Sequence, residues 1–412
     1  MARYMSLADM RNIIVAALVI AIVVVAGIAV ALTSKPGTNS TSTLTSETSG
    51  QNCASNANGV DQWLTFKANP QRTGFTNTSF PSGGKFLGQL AWHNSKVGLS
   101  GEIVSLFGRV LAANWYLNAI SMSNGSLLWS LATGAGPYPS LASDGRTVFL
   151  GSNGGGLIGF DPLTGKNVTS LNQVMALGAT AICGGVAYVS SVPGFGYPQY
   201  PTGSLLAINL TTGKTLWGLS LTSNQYEGFP ATDGRFVYSV LTNNTLIAYL
   251  SGTGQRAWSK AFPQNLTMAP PVWNGELVVS TADGRVNAVN AASGSDLWST
   301  KVNGSIEDTR SSAALGYGEV FLGTSEGFYA LNATTGSVIW RVGTAGSTFG
   351  TPTVVGGMVF VADQGGTLHE FDASNGSTIW SYSGLGVGYV SEPIVANGII
   401  VVDGNNGIFA FH

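Results

Sequence analysis

An all-β fold, an eight-bladed β-propeller with four-stranded antiparallel blades, is what this sequence predicts, and three observations predict it. The composition is that of strands and turns, one motif recurs at a period near forty, and the two chain ends complement each other. Gly supplies 56 of 412 residues and charged side chains only 9%, against about 25% in ordinary soluble domains. Apolar residues at 44% provide enough surface to bury for most of the chain to fold.

The period carries the architecture. Seven segments align on a turn glycine: LNAISMSNGSLLW, LIGFDPLTGKNVT, LLAINLTTGKTLW, LIAYLSGTGQRAW, VNAVNAASGSDLW, FYALNATTGSVIW and LHEFDASNGSTIW. Their glycines are Gly125, Gly165, Gly213, Gly254, Gly294, Gly336 and Gly376, at successive spacings of 40, 48, 41, 40, 42 and 40 residues. Short strands between turns at such a period, with no helical stretch between them, suit one four-stranded blade per repeat.

Each period divides into the same elements. An apolar strand leads to a two-residue turn such as Asp144-Gly145, Asp233-Gly234, Asn274-Gly275 or Gly356-Gly357, where φ > 0 is tolerated and a hairpin can form. A second strand follows (TVFLGS, FVYSV, ELVVST, MVFVAD), then a third such as TLHEFD, then the aligned glycine turn and a fourth strand ending in Trp. The last repeat stops at His412 after GIFAF, one strand short, while KFLGQLAW, ending in Trp92, stands alone before the first repeat. Pairing the two closes the ring through an N-terminal outer strand and removes its free edge. Residues 84–412 shared among eight units give about 41 each.

Upstream, residues 1–12 read as a cytoplasmic N-terminus and residues 13–32 as one N-terminal transmembrane helix, a signal-anchor of twenty uncharged apolar residues that just crosses a ~30 Å hydrocarbon core. Ala29, Val30 and Ala31 form an A-x-A site, so cleavage after Ala31 and secretion is the alternative. Arg3 and Arg11 precede the span and Lys35 follows it, which places the bulk of the protein on the extracytoplasmic side of the cell membrane. Residues 33–60 form a Ser/Thr-rich disordered stalk and residues 61–83 a lead-in to the propeller.

Several function classes are excluded. Lys plus Arg number 18 and Asp plus Glu 20 with no basic stripe, so nucleic acid has no electrostatic footing as a partner. Cys53 and Cys183 allow at most one disulfide, and the SGQN preceding Cys53 is no lipobox-like run. His93, His369 and His412 show no ligand spacing, which leaves histidine-based metal or triad chemistry without a basis.

The repeat [LIVF]-x-A-x-[ND]-x-x-[TSN]-G-x-x-[LIV]-W resembles that of the PQQ-like, quinoprotein-type propeller superfamily over roughly residues 61–412, and DQWLTFKANPQRTGF resembles its lead-in. That superfamily holds quinoprotein dehydrogenases and also non-enzymatic members such as the outer-membrane assembly propeller, so the resemblance implies a fold before a function. Recurrence at one strand position assigns Trp92, Trp129, Trp217, Trp258, Trp298, Trp340 and Trp380 to packing between neighbouring blades. The second repeat departs, with Thr169 at the Trp position, and is followed by the longest insertion, residues 190–203.

Function is sought in whatever departs from the repeat. The loops into the innermost strands carry Glu102, Glu227, Glu307, Asp308, Arg310 and Glu392, a concentration of charge in so uncharged a chain. They either converge on the tunnel mouth, where Glu102, Glu227 and Glu392 bind a ligand, or stand as separately solvated loop charges. For a dehydrogenase using PQQ with Ca²⁺, the resemblance implies Glu307 or Asp308 as catalytic base and Arg310 as a supporting cation. The absence of a vicinal cysteine pair counts against this, and no cofactor or metal is expected.

The reading favoured is an extracytoplasmic, membrane-anchored binding or scaffolding module without turnover, engaging a protein or glycan at the cell surface. A carbohydrate-binding propeller using Tyr197 and Tyr200 is a further alternative. Ten N-x-S/T sequons offer glycosylation at Asn39, Asn77, Asn124, Asn167, Asn209, Asn243, Asn265, Asn303, Asn332 and Asn375. Stalk, anchor and sequon density together resemble archaeal cell-surface proteins.

Overall fold

The computed structural model describes residue 53 and residues 62–76, 86–98, 102–133, 140–152, 156–171, 180–191, 204–220, 228–267, 270–306, 312–343, 350–388 and 391–412. The apolar run 13–32 and nearly all of the stalk lie outside them. Among the described residues no helix is long and apolar enough to cross a membrane.

Eight antiparallel sheets follow one another along the chain. Blades 1 to 7 occupy residues 103–132, 141–171, 180–220, 231–261, 272–301, 314–342 and 353–382, each running from its innermost to its outermost strand. Blade 8 takes three strands from residues 394–411 and its outer strand from Leu90–Asn94. Trp92 pairs with Ala410, His93 with Phe409 and Asn94 with Ile408. The ring therefore closes through its two ends, as the sequence predicts.

The first turn of each blade departs from a single hairpin rule. Asn274-Gly275 and Gly356-Gly357 place both residues at φ > 0, as a type I′ turn requires. At Asp144-Gly145 and Asp233-Gly234 only the glycine does so. There the aspartate Oδ1 instead accepts from the backbone amides of Arg146 and Thr147, and of Arg235 and Phe236. A carboxylate cap thus replaces one left-handed residue.

Between blades the recurring contact is an indole on a glycine. The Nε1–H of Trp92, Trp129, Trp217, Trp258, Trp298 and Trp340 donates to a carbonyl of the following blade, at 2.5–3.2 Å. The acceptors are Met122, Pro162, Ser251, Ala291, Ala333 and Ala373, each three residues before an aligned turn glycine. At those glycines a Cβ would stand under 3.0 Å from the indole. The position is glycine both because its φ lies near +70° and because the ring of the preceding blade lies on it. Trp380 lies on Gly88 in the same way.

One apolar cluster fills the space at each junction between sheets, a single cluster serving both sides of blade 8. Cys53 and Cys183 are bonded, with Cα atoms 5.1 Å apart, and are buried against blade 3. That bridge ties the stalk sequence to the propeller 130 residues away.

Candidate functional site

The tunnel is the place to look for chemistry, because the innermost strands present backbone groups there that no further strand pairs. The lead-in takes up that role. Ser105 of blade 1 donates its amide to the Trp63 carbonyl, Ser143 of blade 2 to Leu64, and Thr232 of blade 4 to Pro70. Val272 of blade 5 donates to Gln71, Leu315 of blade 6 to Thr73, and Val354 of blade 7 to Gly74, at 2.7–2.9 Å. Phe75–Thr76 then adds a parallel fifth strand to blade 7.

Blades 3 and 8 are reached through side chains. The Arg72 guanidinium donates to the Thr180 carbonyl of blade 3, and also to the carbonyls of Pro230 and Phe66 and the hydroxyl of Thr65. From the loop entering blade 8, one Glu392 oxygen accepts from the Lys67 amide at 2.7 Å and the Trp63 indole at 3.3 Å. The Lys67 ammonium donates to Ser312 Oγ at 3.0 Å and to the Ala313 carbonyl beside blade 6. Residues 63–76 therefore touch all eight blades.

This hub concentrates buried charge. Trp63, Lys67 and Arg72 have no exposed surface, and Glu392 is buried with its second oxygen unpartnered. Burial holds the Lys67 ammonium well below its ordinary value, against the opposing pull of Glu392. Burial also lowers the Arg72 guanidinium to about 10, again opposed by Glu102 and Glu392. It pushes the Glu392 carboxyl up to about 8 despite the bonds it accepts. Lys67, Ala68 and Arg72 all adopt φ of 61–70°, which costs L-residues on the order of 1 kcal/mol apiece. The surrounding hydrogen bonds hold them there.

Of the residues the sequence nominates, the structure brings Glu102 and Glu392 toward this hub. Glu102 accepts from the Ser140 hydroxyl and the Leu141 amide, both at 3.1 Å. Glu227, Glu307, Asp308, Arg310, Tyr197 and Tyr200 lie outside the described residues. Lys67 and Arg72 went unnominated. Their signal in the sequence is two cations between Trp63, Phe66 and Phe75, in a stretch with no counterpart in the repeat.

The described residues do not fit a calcium-held quinone. The two mouth carboxylates that are described, Glu102 and Glu392, each have an oxygen engaged by the chain's own donors, and the buried Trp63 and Lys67 are bonded to Glu392. Among the described residues no three His, Cys, Asp or Glu side chains are grouped to hold a metal ion.

The family described as outer membrane protein assembly factor BamB matches residues 201–328 and 282–412, together just over half of the chain. The chain belongs to the PQQ-like β-propeller superfamily. This PQQ-like propeller is 25% identical over 233 residues to the outer membrane protein assembly factor BamB of Moranella endobia, covering 50% of this chain and 59% of that protein. It is 25% identical over 276 residues to the tetrathionate hydrolase of Acidithiobacillus ferrooxidans, covering 55% of this chain and 53% of that one. It thus spans between half and three-fifths of the length of these curated relatives. The structure of a europium-containing methanol dehydrogenase superimposes with a TM-score of 0.67 over 83% of this chain and 89% of that one, at 14% identity. That likeness is one of fold alone. The named relatives are bacterial, so they lend no support to the archaeal surface habit expected from stalk and sequons.

Proposed function

We propose that this PQQ-like propeller is a non-catalytic scaffold, held outside the cytoplasm at a membrane, that binds other proteins through the outside of its ring. The observation carrying this reading is the hub. A segment hydrogen-bonded to seven blades and to the loop entering the eighth runs across the innermost strands, with its buried cations committed to the scaffold. The relatives named for outer membrane protein assembly support the same reading. The Cys53–Cys183 bridge supports an oxidising compartment. Residues 13–32 serve as the single-pass anchor, and the exposed sequons on the rim, Asn124 and Asn375 among them, serve as glycan acceptors.

The test is a paired assay on the full chain. Incubated with PQQ and Ca²⁺, the purified protein is expected to reduce no artificial electron acceptor above blank, while crosslinking in the native membrane yields discrete protein adducts. Quinone-dependent turnover that disappears in Glu307→Ala and Asp308→Ala would overturn the reading.

A further inference from the structure

Seven indoles cap seven junctions of an eight-membered ring. The exception is the junction between blades 2 and 3, where the outer strand Asn167–Leu171 carries Thr169 at the Trp position. The receiving side is nevertheless built like the others. Gly213 has φ +68°, against +70° to +73° at the six other aligned glycines. The Asn209 side chain caps the Thr211 and Thr212 amides, as Asn332 caps Thr334 and Thr335 in blade 6. The Leu210 amide donates to Gly185 at 2.9 Å, as Ala291 and Ala333 donate to Gly275 and Gly318. Leu210 stands three residues before the glycine, where the other junctions place the indole's acceptor. Among the described residues nothing donates to its carbonyl.

What remains is a cleft of about 420 Å³ lined by Thr169, Ser170, Leu171, Thr211 and Gly213 among others. That volume lies within the range of small-ligand sites, about 300–1,000 Å³. The one side chain near a Cβ placed on Gly213 is Leu171, at 3.1 Å, which leans in from two residues beyond the Trp position. Exposed Val168 and Leu216 lie on the outer strands of the two blades.

We propose that this cleft takes the tryptophan side chain of a partner protein, Leu171 turning aside so that the ring lies on Gly213 and its N–H is donated to the Leu210 carbonyl. The occupant's chemistry is read from the protein itself, which lays an indole on a glycine at the seven remaining junctions and at six of them donates its N–H to the carbonyl three residues before. It has to come from another chain. All ten tryptophans are among the described residues: seven sit on glycines, Trp63 is in the hub, Trp273 stacks on Phe75, and Trp115 is exposed on blade 1. Docking an aromatic anchor into a preformed pocket is how interfaces concentrate their affinity. The inference rests on the scaffold reading for its partner, but the socket is tested without one.

The probe is N-acetyl-5-fluorotryptophanamide, titrated into the full chain and followed by ¹⁹F line broadening. Saturable binding is expected, competed by N-acetyltryptophanamide and not by N-acetylleucinamide. Thr169→Trp should fill the socket in cis, weaken probe binding at least tenfold and raise Tm by about 2–4 °C. Should that variant fail to fold, Leu171→Phe blocks the cleft and gives the same loss. Absence of saturable binding, or binding unchanged in both variants, overturns the proposal. Probe binding without protein adducts in the membrane would instead count against the scaffold reading and leave the socket standing.

Discussion

The rim and the hub of this propeller are held together on opposite principles. At the rim one apolar contact, an indole on a glycine, is repeated seven times, and each copy joins only two neighbours. In the hub a single non-repeating segment of fourteen residues, 63–76, joins all eight blades through backbone hydrogen bonds and buried cations. Losing one rim contact leaves the others intact, whereas a hub side chain has several partners and no substitute. The repeating part distributes stability, and the unique part sets how the ring is filled.

Arg72→Met should have the largest effect. It removes the guanidinium donor from the carbonyls of Pro230 and Phe66 and leaves that of Thr180 with the Thr65 hydroxyl alone, and an unfolding midpoint in urea should report a loss of about 4 kcal/mol. If the loss is no greater than that of a rim variant, the distinction between hub and rim fails. Cys53→Ser removes a cross-link spanning 130 residues and should cost about 2–5 kcal/mol, read as the Tm difference between variant and oxidised wild type.

Glu370 is the exception inside the repeating part. Seven blades place Ala or Gly opposite the Trp position, and blade 7 places Glu370, between Phe360 and Trp380 in register. Its carboxyl is buried with neither oxygen bonded, and burial raises it to about 7. The folded protein therefore holds a proton that the unfolded chain releases near its ordinary pKa of about 4.3. Stability is full below that value and falls as pH rises toward 7, by on the order of 2–3 kcal/mol. Glu370→Gln should flatten the stability profile measured across that window, and an unchanged profile would show that other groups set it.

Trp258→Ala, which strips one rim contact and its bond to Ala291, should cost about 2 kcal/mol. The smallest effect is the sharpest for the comparison. Trp258→Ala and Trp340→Ala share no partner and should add within about 0.5 kcal/mol in a double-mutant cycle, whereas Lys67→Met and Glu392→Gln should not.

The amino-acid sequence alone determined the ring: the period near forty set the blade, the aligned glycines set the turns, and the strand ending in Trp92 set the closure. These are local patterns, and a repeat makes each local reading seven times over. The second reason for the glycines, the indole lying on them, spans 33–38 residues between successive blades and 292 across the closure, from Trp380 back to Gly88, and shows only once the sheets are side by side. Only the tertiary structure decided where the lead-in goes and what Glu102 and Glu392 face. Residues 63–76 have no period to read, and contacts with eight blades up to 329 residues away come from closure of the ring, which no window of sequence contains.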